Sequence, residues 1–271
     1  MSARRSLRLA ARAAIATATA VASASCIGTT GGGTVRFDAA AAGPSDAPGG
    51  PLTFTSGRGY DVTLTRAVLH VGAVYLDQTM PTSGSQETSC TLPGTYVAEV
   101  TSGRDVDVLS PSPQAFPDPG DGTRTAARAA QVWLSGGAVD EVDDPTVILS
   151  IAGVAARDGA TYPFEGKVTI ERNRLPASTD PSLPGAHPIC KERIVSPIPV
   201  AIAPRAAGGL LVRVDPRGFF TNVEFAELEK VQDEPLLYRF SDDTATQPSA
   251  NLYAGLRAAT GVYSFEWSDA L

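Results

Sequence analysis

From Leu52 to Asp77 the chain alternates apolar and polar residues with the period of a β-strand. Val62 and Leu64 share one parity, whereas Ala67, Leu69, Val71, Ala73 and Tyr75 share the other. The change near Arg66 predicts a bulge or a break between two strands. The opposite face of the second piece, Val68, His70, Gly72, Val74 and Leu76, is also mainly apolar, the pattern of a strand covered on both sides.

Similar runs recur at Thr34–Ala39, Thr95–Val100, Asp105–Leu109, Thr146–Ala156, Thr161–Arg172 and Gly209–Val214. Arg157-Asp158-Gly159-Ala160 joins two of them, and Asp-Gly between β-rich runs predicts a two-residue hairpin turn. Arg193–Ala203 carries Pro197 and Pro199, which mark an edge strand. Ala129–Ser135, around Trp133, fits strand or helix, and the Pro/Gly stretch 110–123 predicts irregular chain. Near the C-terminus Glu224–Val231 has helical composition with Asn222 as a cap, and Pro248–Ala259 places Leu252, Leu256 and Ala259 on one helical face with Ser249 near its start. Val262–Trp267 closes the chain as a strand. The predicted fold is all-β: an antiparallel β-sandwich with one or two short C-terminal helices.

Composition agrees with that pattern. The chain has 26 Gly and 21 Pro, and Lys167, Lys191 and Lys230 are its lysines, which points away from helical bundles. The formal charge is −7, and it becomes −11 once residues 1–25, with four arginines and no acids, are removed. Such a chain repels nucleic acid and anionic headgroups.

The N-terminal segment supplies the reason to remove them. Arg4, Arg5, Arg8 and Arg12 form a positive region, Ala13–Val21 is an uncharged, weakly apolar run, and Ala22, Ser23, Ala24 and Ser25 are the small residues of a cleavage site. A membrane span needs about 20 apolar residues, and Arg12 cuts this run short at its N-terminal end. Ser23-Ala24-Ser25-Cys26 resembles a bacterial lipoprotein signal, in which the cysteine is acylated and becomes the mature N-terminus. The expected organisation is a signal peptide over 1–25, a lipidated Cys26 with a flexible tether over 26–34, and a single β-sandwich domain over 35–271. Cleavage after Ala24 and plain secretion or periplasmic release is the alternative. Ile27, where lipoproteins retained at the inner membrane carry Asp, implies by the same resemblance an outer-membrane location.

Cys90 and Cys190 are the other cysteines, and in an oxidising compartment they are expected to pair. Such a bridge would pin two loop-like stretches together. Closing about 100 residues of chain stabilises by roughly 4–5 kcal/mol in the entropy model.

The candidate chemistry is sparse. His70 and His187 are the only histidines. His187 lies in a His-x-x-Cys spacing, but Cys190 is better used in the disulfide. Together with carboxylates, the two histidines are the candidates for a copper or zinc site. Asp118, Asp121, Asp140, Glu141, Asp143 and Asp144 offer oxygen ligands for calcium without the spacing of an EF-hand. A thioether copper site is poorly supplied, since Met80 is the one methionine left after processing. No Gly-x-Ser-x-Gly, Gly-x-x-x-x-Gly-Lys or strand-linked Gly-x-Gly-x-x-Gly occurs, and no catalytic set is identified. Tyr253, Tyr263, Phe265 and Trp267 form an aromatic group that fits core packing better than sugar stacking.

The runs VTLTRAVLHVGAVYLD and VRVDPRGFFTNVEFAEL resemble those of uncharacterised bacterial lipoproteins. The early strand pair, the VDPRG–NVEF segment and the following helix are similar to the methanobactin-associated periplasmic copper-binding (MbnP-like) β-sandwich family. That resemblance implies fold only, because no residue here matches the family's metal ligands. The expected function is a non-enzymatic binding or structural role for a lipid-anchored cell-envelope protein, whose membrane partner is reached through the lipid. The alternatives are a periplasmic metal-binding protein (copper, zinc or calcium) and a carbohydrate-binding or carbohydrate-active domain.

Overall fold

At Arg66 the alternation breaks because the backbone bulges. The computed structural model describes residues 33–80, 90, 94–141, 143–171 and 188–271, and β1 (Thr34–Ala42), β2 (Leu52–Thr55) and β3 (Asp61–Val71) open the chain. Opposite β3 the register skips from Leu64 to Arg66, leaving Thr65 unpaired. Val62 and Leu64 before the bulge, and Ala67, Leu69 and Val71 after it, therefore all reach the core.

The same run then changes sheets. Gly72, whose N–H donates to the Trp133 carbonyl at 2.8 Å, separates β3 from β4 (Ala73–Asp77), and the core-facing parity passes to Val74 and Leu76. Two short strands follow, β5 (Tyr96–Val100) and β6 (Arg104–Asp107), and they join different sheets. Next come β7 (Gln114–Ala115), β8 (Gly120–Thr123), β9 (Ala127–Trp133), β10 (Val147–Arg157) and β11 (Ala160–Thr169). The remainder comprises α1 (Ile189–Arg193), β12 (Ile194–Ile202), β13 (Gly209–Val214), β14 (Glu229–Asp233), β15 (Leu236–Phe240), α2 (Gln247–Leu256) and β16 (Tyr263–Ser268).

One sheet has the order β12-β9-β4-β5-β8-β1-β13-β16, with β7 also on β1, and its end strands approach each other so that it nearly closes into a barrel. The other has the order β14-β15-β11-β10-β3-β2, with β6 also on β3. Pairing is antiparallel except at β1–β13 and β11–β15. The proline-bearing β12 is an edge strand, as its sequence predicts. Asp158 and Gly159 both take positive φ (54° and 79°) and close the β10–β11 hairpin, as Asp-Gly predicts.

Two predictions are corrected. The Pro/Gly stretch 110–123 is not wholly irregular, since β8 pairs between β5 and β1. Its glycines suit a crowded place: a Cβ at Gly120 would stand 2.4 Å from the Phe37 ring, and one at Gly122 would stand 2.7 Å from Ala98. The segment 224–231 is not a helix either. It makes one short 3-10 turn, Phe225–Glu227, and then enters β14. Tertiary contacts override its helical composition. Phe225 is buried in a cluster with Phe164, Phe220 and Phe240, ring centroids 5.1–6.3 Å apart, where each buried ring contributes roughly 1.5–3 kcal/mol. Glu224 accepts from the buried Tyr60 hydroxyl and from Arg157 Nη2 at 2.8 Å. Asn222 caps no helix, and its carbonyl accepts from Gln247 and Asn251. The second predicted helix is present as α2, with Leu252 and Leu256 buried; Ser249 pairs with Ser241 rather than capping it.

Candidate functional site

The predicted site residues are dispersed. His70 lies on β3, directly opposite Asp105 of β6, with Nδ1 2.7 Å from Asp105 Oδ1. Its Nε2 is buried and has no hydrogen-bond partner among the described residues. His187 lies outside the described residues. Among those described, no three His, Cys, Asp or Glu side chains gather as metal ligands would. Cys90 and Cys190 form the expected disulfide. Of the aromatic group near the C-terminus, Tyr253 and Tyr263 are buried, and Phe265 and Trp267 pack against the core.

Two members of the acidic group, Glu141 and Asp144, lie beside a protein cation. Arg193, fully buried at the end of α1, donates from Nε (2.9 Å) and Nη2 (2.7 Å) to the Ile170 carbonyl, and from Nη1 to the carbonyls of Val139 (3.2 Å) and Glu141. The loop's carbonyl oxygens at Val139 and Glu141, the kind of ligand calcium would take, thus already face a guanidinium. Asp144 accepts from the N–H groups of Gly136 (2.8 Å) and Thr146 (3.0 Å). Burial alone would raise its pKa, but those bonds and the charge of Arg193 hold it below the usual carboxylate range.

A different cluster stands out on the outer face of the barrel-like sheet. Directly opposed residues of paired strands share a face. Register therefore places Tyr75 with Gln131 and Glu99, Asp77 with Ala129 and Tyr96, and Ala73 with Trp133, all on the side away from the core. Three rings form a row: Tyr75 lies 5.1 Å from Tyr96 and 4.5 Å from Trp133, centroid to centroid. Beneath them, Trp133 Nε1 donates to Gln131 Oε1 (3.1 Å) and Gln131 Nε2 donates to Asp77 Oδ2 (2.8 Å). Gln131 and Asp77 are both fully buried.

Asp77 Oδ1 receives no hydrogen bond among the described residues. Burial pushes its carboxyl up to about 6, with the Gln131 bond only partly countering this. Burial also raises the hydroxyls of Tyr75, beside Glu99, and of Tyr96.

The alternation of β4 gives no warning of this cluster, because Tyr75 shares the parity of the core-facing residues before Gly72. The available signal was Asp77 ending a strand whose two faces are otherwise apolar. The chain matches no family model, no curated protein and no solved structure.

Proposed function

We propose that this chain is a lipid-anchored protein of the cell envelope whose β domain has a non-enzymatic binding role. The observation that carries this reading is cysteine usage. Of three cysteines, Cys90 and Cys190 are bridged, which leaves Cys26, directly behind the small residues of a signal-like segment, for acylation. A disulfide-bonded domain fits an oxidising compartment. The aromatic row over Gln131 and Asp77 lies outside the main core cluster, with Tyr96 41 % exposed, and is the surface we assign to a ligand.

Fractionation of a diderm bacterium expressing the full chain tests the anchor. The native protein is expected in the outer-membrane fraction and extractable only by detergent, and Cys26→Ala is expected in the soluble periplasm. Membrane retention of Cys26→Ala, or a native protein that is already soluble, would overturn the reading.

A further inference from the structure

Beyond the anchor and the aromatic row, we propose that a cavity of about 460 Å³ on the outer face of the second sheet binds a small oxyanion, a carboxylate or phosphate group on a compact ligand. The β3 bulge builds one wall. It leaves Thr65 unpaired, with its hydroxyl donating to the Ala152 carbonyl at 3.3 Å, and turns the next residue, Arg66, to the side away from the core. Arg66 stands directly opposite Ala152 of β10, and Ala152 directly opposite Glu165 of β11. On the same face of β10, Ser150 stands directly opposite Lys167 of β11. β10 thus lays two small side chains between long ones on its neighbouring strands, and the result is a trough.

The polar groups of the trough identify its ligand. Arg66 and Lys167 are exposed, and neither has a hydrogen bond or ion pair with a described residue. They stand on strands two apart, with roughly 10 Å between backbones, so side chains of their length can close on one group from both sides. On the floor Ser150 is 9 % exposed, and its hydroxyl too makes no hydrogen bond among the described residues. A hydroxyl held at the base of an open cavity, without a partner in the protein, has its donor free for a ligand oxygen. Two unpaired cations and a hydroxyl donor lining one cavity are the complement of an oxyanion.

The carboxylates of the cavity do not cancel this charge. Glu165 is held by Arg239, which donates from Nε (3.0 Å) and Nη2 (2.5 Å) to its Oε1. Asp242 accepts from the Thr169 N–H (2.9 Å) and hydroxyl (2.6 Å). Arg66, Lys167 and Arg239 against Glu165 and Asp242 leave the cavity positive by one, in a chain whose formal charge is −7. That contrast also sets the ligand's size. A polyanion or an anionic membrane would have to meet the acidic remainder of the surface, whereas a small anion enters the cavity alone.

The experiment titrates detergent-solubilised full-length protein with inorganic phosphate, citrate and glucose at low ionic strength, read by calorimetry. Saturable binding of phosphate or citrate to a single site is expected, and the tighter of the two tells a phosphate from a carboxylate site. Arg66→Gln and Lys167→Gln are each expected to weaken it about tenfold or more, through the loss of one charge-assisted contact. Both residues are exposed, so the two variants are expected to keep the unfolding midpoint of the parent. Ser150→Ala is expected to weaken binding by less. Arg128→Gln removes an exposed cation from β9, in the other sheet, and is expected to leave the affinity unchanged. Failure of both anions to saturate, unchanged affinity in Arg66→Gln and Lys167→Gln, an equal loss in Arg128→Gln, or glucose binding as tight as that of either anion would each overturn the proposal. The titration involves neither Cys26 nor the aromatic row, so its failure leaves the anchor reading standing, and a failed fractionation leaves the anion result standing.

Discussion

Arg193 and Asp77 are both ionisable side chains withdrawn from solvent, and the fold treats them in opposite ways. Arg193 makes four hydrogen bonds to three backbone carbonyls, with Asp144 close enough to act on its charge. Asp77 receives one bond, on one oxygen, and the other oxygen is unanswered among the described residues. A buried charge costs several kcal/mol unless it is paired and hydrogen-bonded. Saturation of that kind makes Arg193 a fixed brace between α1, the backbone at Val139 and Glu141, and the end of β11. Under-saturation makes Asp77 responsive, because its charged form is barely supported. A buried charge thus marks a brace or a responsive site according to how many of its atoms are answered.

The hardest way to break this comparison is to remove the brace. Arg193→Met keeps apolar volume but leaves the carbonyls of Ile170, Val139 and Glu141 without their donor, and leaves Asp144 without its neighbouring cation. The expected cost is about 3–5 kcal/mol, read as a fall in the urea midpoint at unchanged slope. A loss under about 1 kcal/mol would show that those carbonyls find other donors, and that Arg193 braces nothing.

Asp77 gives a smaller effect, and one that depends on pH. Its folded pKa of about 6 lies above the ordinary 3.8, so the folded protein holds this proton more tightly than the unfolded chain. The stabilisation is complete below about 4 and is lost as pH rises through about 6, amounting to at most about 3 kcal/mol. Asp77→Asn cannot ionise. Unfolding free energies of the two proteins are expected to agree near pH 4 and to diverge by pH 8, with the variant the more stable. Parallel curves from pH 4 to 8 would mean that Asp77 is as well solvated folded as unfolded.

How far the sequence disclosed these regions follows from what each depends on. The bulge on β3 and the Asp158-Gly159 turn were readable because each is a local event: a parity change within one strand, and a backbone conformation that few residues adopt. β8 was hidden because Gly120 and Gly122 carry no apolar signal; they sit there because Phe37 and Ala98, distant in sequence, come too close for a Cβ. Residues 224–231 misled because Glu224 and Phe225 answer to Arg157, Tyr60 and Phe164 rather than to helical neighbours. The aromatic row comes from β4, β5 and β9, and only their register brings Tyr75, Tyr96 and Trp133 together. Local chemistry was therefore legible, and sites assembled across strands were not.

His70 offers the finest test, because it shares one feature with Asp77 and lacks another. Its Nε2 is also buried and unanswered among the described residues, yet the side chain is 17 % exposed and its partner Asp105 is 72 % exposed. An imidazole can also leave one nitrogen as a bare lone pair without burying a charge, which a carboxylate cannot do. If the cost lies in unsupported charge rather than in any unanswered atom, loosening His70 should matter little. Asp105→Ala removes the 2.7 Å contact to Nδ1, and the expected loss is below about 1 kcal/mol, the range of exposed ion pairs, measured in the same urea titrations. A loss approaching that of Arg193→Met would show that the His70–Asp105 pair is itself a brace between β3 and β6. Exposure and neutral forms would then fail to separate responsive groups from structural ones in this fold.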